Sequence, residues 1–148
     1  MFSRARGALF ATSLPSCALS SGGESHSVGG SHSVVAGGQL NTVSGKWAAV
    51  GGGEYHLLQS DYGTIAGGSY NWIDDTSESA SIGGGVWNRV QASSEGGTIG
   101  GGEYNAVFDD APSATIGGGL HNLASGPFST IAGGVWNELH VEDGVVGG

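Results

Sequence analysis

Five aromatic residues recur in register along this chain: Tyr55, Tyr70, Trp87, Tyr104 and Trp136, with Leu40 and His121 at the same repeat position. A rank of large planar rings can stack on sugars or pack within and between rods, and packing is the simpler use. A second rank carries hydroxyls at Thr64, Ser81, Thr98, Thr115 and Thr130, and its outer members are Val34, Ala49 and Val145. Hydroxyls in that arrangement form ladders on a β surface, and a regular hydroxyl array is also what an ice-binding face presents. The acidic pairs Asp74/Asp75, Asp109/Asp110 and Glu142/Asp143 hold carboxylates that calcium would accept. They fall at different repeat offsets, and the Gly-Gly-x-Gly-x-Asp pattern of calcium-binding rolls is missing, so solvated turns account for them better. His26 and His56 share one column but lie two repeats apart, about 9–10 Å along a stacked axis. One metal cannot bridge that gap; only one His from each of three chains would form a ring.

Catalysis finds no constellation. There is no Gly-x-Ser-x-Gly elbow, no Walker loop and no Gly-x-Gly-x-x-Gly among the 31 glycines. Cys17 is the single cysteine, which excludes an intrachain disulfide framework. The expectation is a chain that is not an enzyme and takes no cofactor or metal.

What must position these columns is an internal repeat. Aliphatic anchors stand at Val35, Val50, Ile65, Ile82, Ile99, Ile116, Ile131 and Val146, spaced by 15 or 17 residues. Gly or Ala follows each anchor. An unbroken glycine column comes next: Gly37, Gly52, Gly67, Gly84, Gly101, Gly118, Gly133 and Gly148. Another follows it: Gly38, Gly53, Gly68, Gly85, Gly102, Gly119 and Gly134. Six residues after the anchors stand Asn41, His56, Asn71, Asn88, Asn105, Asn122 and Asn137. Two further on lie Val43, Leu58, Ile73, Val90, Val107, Ala124 and Leu139. A degenerate copy precedes them at Ser20, Gly22, Gly23, His26 and Val28.

A period of 15–17 residues is too short for a helical-hairpin repeat or a propeller blade, and it suits one coil of a parallel β-solenoid. The predicted fold is therefore all-β, a β-solenoid or β-roll over residues 20–148. Anchors and later aliphatics form the core. The Asn column is expected at a turn that tolerates unusual dihedrals, its amides bonding from coil to coil. Two extra residues in three central coils, carrying Asp74, Asp75, Glu78, Glu95, Asp109 and Asp110, read as outward bulges. Adjacent glycines imply a backbone pressed against another backbone. With so thin a core, they predict a homo-oligomer, a trimer above all, meeting on the small-residue face.

Glycine makes up about a fifth of the chain, yet collagen is excluded by its spacing and by only 3 prolines. A flexible linker is excluded by 38% hydrophobic residues. The formal charge is −9, and beyond Arg4 and Arg6 only Lys46 and Arg89 are basic. Nucleic acid and anionic membrane are poor partners for such a surface, and no apolar run is long enough for membrane insertion.

Residues 114–131, Ala-Thr-Ile-Gly-Gly-Gly-Leu-His-Asn-Leu-Ala-Ser-Gly-Pro-Phe-Ser-Thr-Ile, resemble the head repeats of trimeric autotransporter adhesins and the glycine-rich repeats of phage tail fibres. The resemblance extends over about residues 20–148. It implies a left-handed parallel β-roll with three chains per head. The coiled-coil stalk, membrane-anchor barrel and phage assembly-chaperone domain of those proteins do not appear, and acidic bulges replace Ala-Ser-Gly in the middle coils. Residues 1–19 fall outside the repeat. They read as a weak secretion-signal-like stretch, with Leu14-Pro15-Ser16-Cys17 similar to a lipoprotein cleavage box, or as a segment that caps the last coil of the next subunit. The functional expectation is an extracellular or cell-surface structural subunit of a fibre or adhesin-like head that associates with itself. A phage tail-fibre segment, a glycan-binding adhesin and an ice-binding protein are the alternatives.

Overall fold

A computed structural model describes residues 18–148, so the signal-like or capping role expected of residues 1–19 falls, for residues 1–17, outside the described residues, while Leu19 already pairs with Val34 in the first coil. Every element is a strand of two residues. The odd-numbered strands β1 (Leu19–Ser20), β3 (Val34–Val35), β5 (Ala49–Val50), β7 (Thr64–Ile65), β9 (Ser81–Ile82), β11 (Thr98–Ile99), β13 (Thr115–Ile116), β15 (Thr130–Ile131) and β17 (Val145–Val146) form a nine-stranded sheet. The even-numbered strands, from β2 (Ser27–Val28) to β16 (Glu138–Leu139), form an eight-stranded sheet. All pairings are parallel and join like positions of adjoining coils, as Thr98 joins Thr115 and Ile99 joins Ile116. A third ladder of single bridges climbs from Glu24 through Gln39, Glu54, Ser69, Val86, Glu103 and Leu120 to Val135. This is a three-sided parallel β-solenoid of nine coils, about 40 Å long at the usual inter-strand spacing.

Strand alternation sends the second residue of each strand inward and the first outward. Val35, Val50, Ile65, Ile82, Ile99, Ile116 and Ile131 are buried, as are Val43, Leu58, Ile73, Val90, Val107, Ala124 and Leu139, while Val146 is partly buried at the edge. Small residues fill the side of the core between each even-numbered strand and the next odd-numbered one, among them Ala48, Ala80, Ala111 and Ala114. Buried serines line the same side, and their hydroxyls tie one coil to the next: Ser33 donates to the Gly45 carbonyl (2.6 Å) and Ser94 to that of Phe108 (2.7 Å).

The turns depart from the expectation. Asn41, Asn71, Asn88, Asn105 and Asn122 are buried and lie outside the left-handed region. The residue before each Asn takes that conformation instead: Leu40, Tyr55, Tyr70, Trp87, Tyr104, His121 and Trp136 have φ between 54° and 60°. A second left-handed corner runs through His32, Trp47, Tyr62, Ser79, Gly96, Ser113, Phe128 and Asp143. Left-handed backbone reverses the amide direction. Tyr70 and Ser79 donate back to Glu54 and Asp61 of the preceding coil, whereas Thr64 and Trp72 donate forward to Ala80 and Asn88. Every coil is thus bonded to its neighbours at strands and corners alike, and Asn is released from the turn to serve inside it.

Candidate functional site

The Asn column forms a continuous polar seam within the solenoid. Asn105 shows the full pattern. Its backbone N–H donates to Asn88 Oδ1 (3.0 Å), and its Nδ2 reaches Asn88 Oδ1 (3.1 Å), the Gly101 carbonyl (3.0 Å) and the Gly119 carbonyl (2.9 Å). Asn122 and Asn137 repeat the amide-to-amide bond. Buried amides are stable only when their donors and acceptors find partners, and this column supplies them from coil to coil. His56 interrupts it: Nδ1 accepts from the Asn71 N–H (3.2 Å), but Nε2 has no hydrogen-bond partner. Burial holds the His56 imidazole below its ordinary range, partly opposed by backbone carbonyls and by Glu54.

The glycine columns separate into two kinds. At Gly102, φ is +87° and a β-carbon would come within 2.2 Å of the Gly119 carbonyl oxygen and 2.8 Å of Asn105 Nδ2. That column is pressed against the next coil of the same chain, so the solenoid itself demands it. The preceding column is different. A β-carbon at Gly37, Gly52, Gly67 or Gly101 would meet nothing within 4 Å, and at Gly84, Gly118 or Gly133 only backbone at 3.8–3.9 Å. The expectation that a side chain would not fit is corrected here, because within one chain there is room. Gly52, Gly84, Gly101 and Gly118 hold φ between +149° and +159°, which favours glycine, whereas at Gly37, Gly67 and Gly133 the backbone conformation does not require it either.

These open glycines adjoin the outer face of the nine-stranded sheet. That face carries Val34, Ala49, Thr64, Ser81, Thr98, Thr115 and Thr130 before the anchors and only Gly or Ala after them. Thr64 is exposed, and the hydroxyl-bearing residues that follow are half-buried. The result is a flat, uncharged surface with hydroxyls in register.

The ring column is exposed, with Trp136 the most open at 67%. Its rings stack on one another: Tyr55–Tyr70 at 4.8 Å, Tyr70–Trp87 at 4.5 Å, Trp87–Tyr104 at 6.3 Å, Tyr104–His121 at 4.8 Å and His121–Trp136 at 4.1 Å, all within 8° of parallel. Ring faces are spent on neighbouring rings and mainly the edges meet solvent, whereas sugar stacking needs a free face. A second stack, His32–Trp47–Tyr62, occupies the other corner at 5.4 and 5.1 Å. The sequence hides this stack, because Ser79, Gly96 and Ser113 continue the column without rings.

The acidic bulges sit between the eight-stranded and nine-stranded sheets. Asp74 pairs with Arg89 (3.7 Å), whose guanidinium lies 4.0 Å over the Trp72 ring, and Asp61 pairs with Lys46 (3.7 Å). Among the described residues, no three of His, Cys, Asp or Glu stand close enough to share a metal ion, and no helix is long and apolar enough to cross a membrane. No family model matches the chain, and no curated protein matches it.

Proposed function

We propose that this chain is a non-catalytic structural subunit of an extracellular fibre or adhesin-like head, joined to copies of itself along the flat face of the nine-stranded sheet. The observation that carries the reading is the set of open glycines Gly37, Gly67 and Gly133. Gly67 has room for a side chain and no left-handed φ, so its own coil does not explain the missing side chain. A neighbouring chain lying close along that face does. The Gly, Ala, Ser and Thr of the face itself suit close approach of two backbones, while the acidic bulges join it at one edge and Glu54 and Glu103 flank it at the other. A trimer is the expected stoichiometry, on the thin core and the resemblance to adhesin heads.

The test uses Gly67→Val and Gly133→Val together. The coil has space for both, so β-sheet circular dichroism should be unchanged. Light scattering coupled to gel filtration should show association in the parent chain and a monomer in the variant. A parent chain that is monomeric at all concentrations overturns the reading.

Ice binding is the second reading, favoured by one observation: hydroxyls of Thr64, Ser81, Thr98, Thr115 and Thr130 stand in paired register on the same flat sheet. It needs that face uncovered. Thermal hysteresis that is lost with Thr98→Ala, from a chain that stays monomeric, would replace association with ice.

A further inference from the structure

We propose that His56 makes the contact between its own coil and the coil of Asn71 an acid-sensitive seam, a place where mild acid parts the solenoid while the coils beyond stay closed. The argument begins with which imidazole nitrogen carries hydrogen. The Asn71 backbone N–H points at Nδ1 (3.2 Å), so Nδ1 is the acceptor and the neutral ring carries its hydrogen on Nε2. The ring is only 1% exposed. Asn41 lies on one side, its Oδ1 accepting the His56 N–H (3.0 Å), and Asn71 on the other. Neither neighbour can carry charge. Glu54 is the charged group that acts on the ring, and its favourable pull is outweighed by burial.

A second proton must go to Nδ1. There it would face the Asn71 N–H, donor against donor, and break the bond that joins the two coils. It would also place a cation in a site without solvent, where Nε2 makes no hydrogen bond and the Gly52 and Gly68 backbone only partly offsets the burial. His26 occupies the same column with the same Nδ1 contact, to Asn41 N (3.3 Å), but it is only half-buried and its Nε2 meets the Gly22 carbonyl at 3.0 Å. From Asn71 to Asn137 the column holds no titratable side chain. The seam is therefore local.

The sign follows from the folded ring holding its proton less well than a free histidine. Closure is fully favoured above the free value of about 6.5. It weakens as pH falls below that value, by at most about tenfold in the opening constant per pH unit for one proton. The weakening stops only below the folded ring's own, lower value.

The experiment is amide hydrogen exchange by NMR on the whole chain, corrected for intrinsic rates, at pH 7.5, 6.5, 5.5 and 5.0. Protection of the Asn71 amide should fall up to tenfold per unit below pH 6.5, while the Asn105 amide, bonded to Asn88 Oδ1, holds its protection. His56→Asn places the column's usual residue at this position and should flatten the Asn71 profile. Asn88→His should add acid sensitivity at the Asn105 amide, with that of Asn71 kept. Matching pH profiles at Asn71 and Asn105 in the parent chain overturn the proposal, as does an unchanged Asn71 profile in His56→Asn. If Asn88→His does not fold, the His56→Asn comparison decides alone.

Discussion

The first coils and the last coils share a backbone and differ in what fills their corner. Between Asn71 and Asn137 every coil contributes an amide, and from Asn105 onward each Nδ2 also reaches the amide oxygen of the coil before. Between His26 and His56 the column alternates imidazole, amide, imidazole. An imidazole can accept the next coil's N–H, as an amide does, but it has one hydrogen left where the amide has two, and it can take up a charge. Equivalent places in a repeat are therefore not equivalent in chemistry. Geometry is conserved along the rod while the response to solution conditions is not.

The largest effect should come from what the two regions share. Gly102→Val drives a β-carbon to 2.2 Å from the Gly119 oxygen at φ +87°, and Gly53→Val does the same to the Gly68 oxygen at 2.2 Å. Each should destabilise by about 3 kcal/mol or more, through backbone strain and crowding. Urea unfolding followed by circular dichroism measures this, and a much milder Gly53→Val would show that the early coils are already loose. Next comes the column itself. Asn105→Ala leaves the Gly101 carbonyl and the Asn122 N–H without partners and takes one bond each from the Gly119 carbonyl and Asn122 Nδ2, a loss of about 3 kcal/mol. Asn41→Ala removes fewer bonds and should cost about 1–2 kcal/mol; equal losses in the same denaturation experiment would erase the distinction between the regions.

Smaller still is His56→Asn, which should raise stability by about 1 kcal/mol at pH 7 by removing an unpartnered buried nitrogen. The gain should grow at pH 5, since the parent chain loses stability as its depressed imidazole is forced to protonate. Thermal melts at both pH values give the difference, and a gain that shrinks in acid contradicts it. The smallest effect belongs to the ring column, which crosses both regions. Tyr70→Ala removes two stacked neighbours and leaves the left-handed backbone as strained as before, so the net loss should be about 1 kcal/mol, read from the melting temperature.

The period and the core were readable because a solenoid must repeat its buried positions at every coil, and Val35 to Ile131 announce themselves as branched aliphatics. The corner was not. Asn ordinarily signals a left-handed turn, and aromatic residues seldom adopt positive φ, so the sequence points to Asn71 for a left-handed conformation that Tyr70 adopts. Stacking explains the inversion. A ring on the outside of the corner gains a partner above and below, and an amide on the inside closes the carbonyls of the turn. The buried Ser33, Ser77 and Ser94 are illegible in the sequence for a related reason: a hydroxyl looks like surface until the carbonyl of the next coil, here Gly45, Gln91 or Phe108, is known to face it. The two glycine columns could be listed but not told apart, because only coordinates distinguish a crowded glycine from one with open space around it.

The row of rings has an optical meaning as well. Tyr55, Tyr70 and Tyr104 each lie one or two rings from Trp87 or Trp136, with planes nearly parallel. Light absorbed by those tyrosines should leave as tryptophan emission, and the coupled transitions should give a strong near-ultraviolet dichroism. Both signals depend on coil lying on coil, so the protein carries its own spectroscopic gauge of how much of the rod is wound.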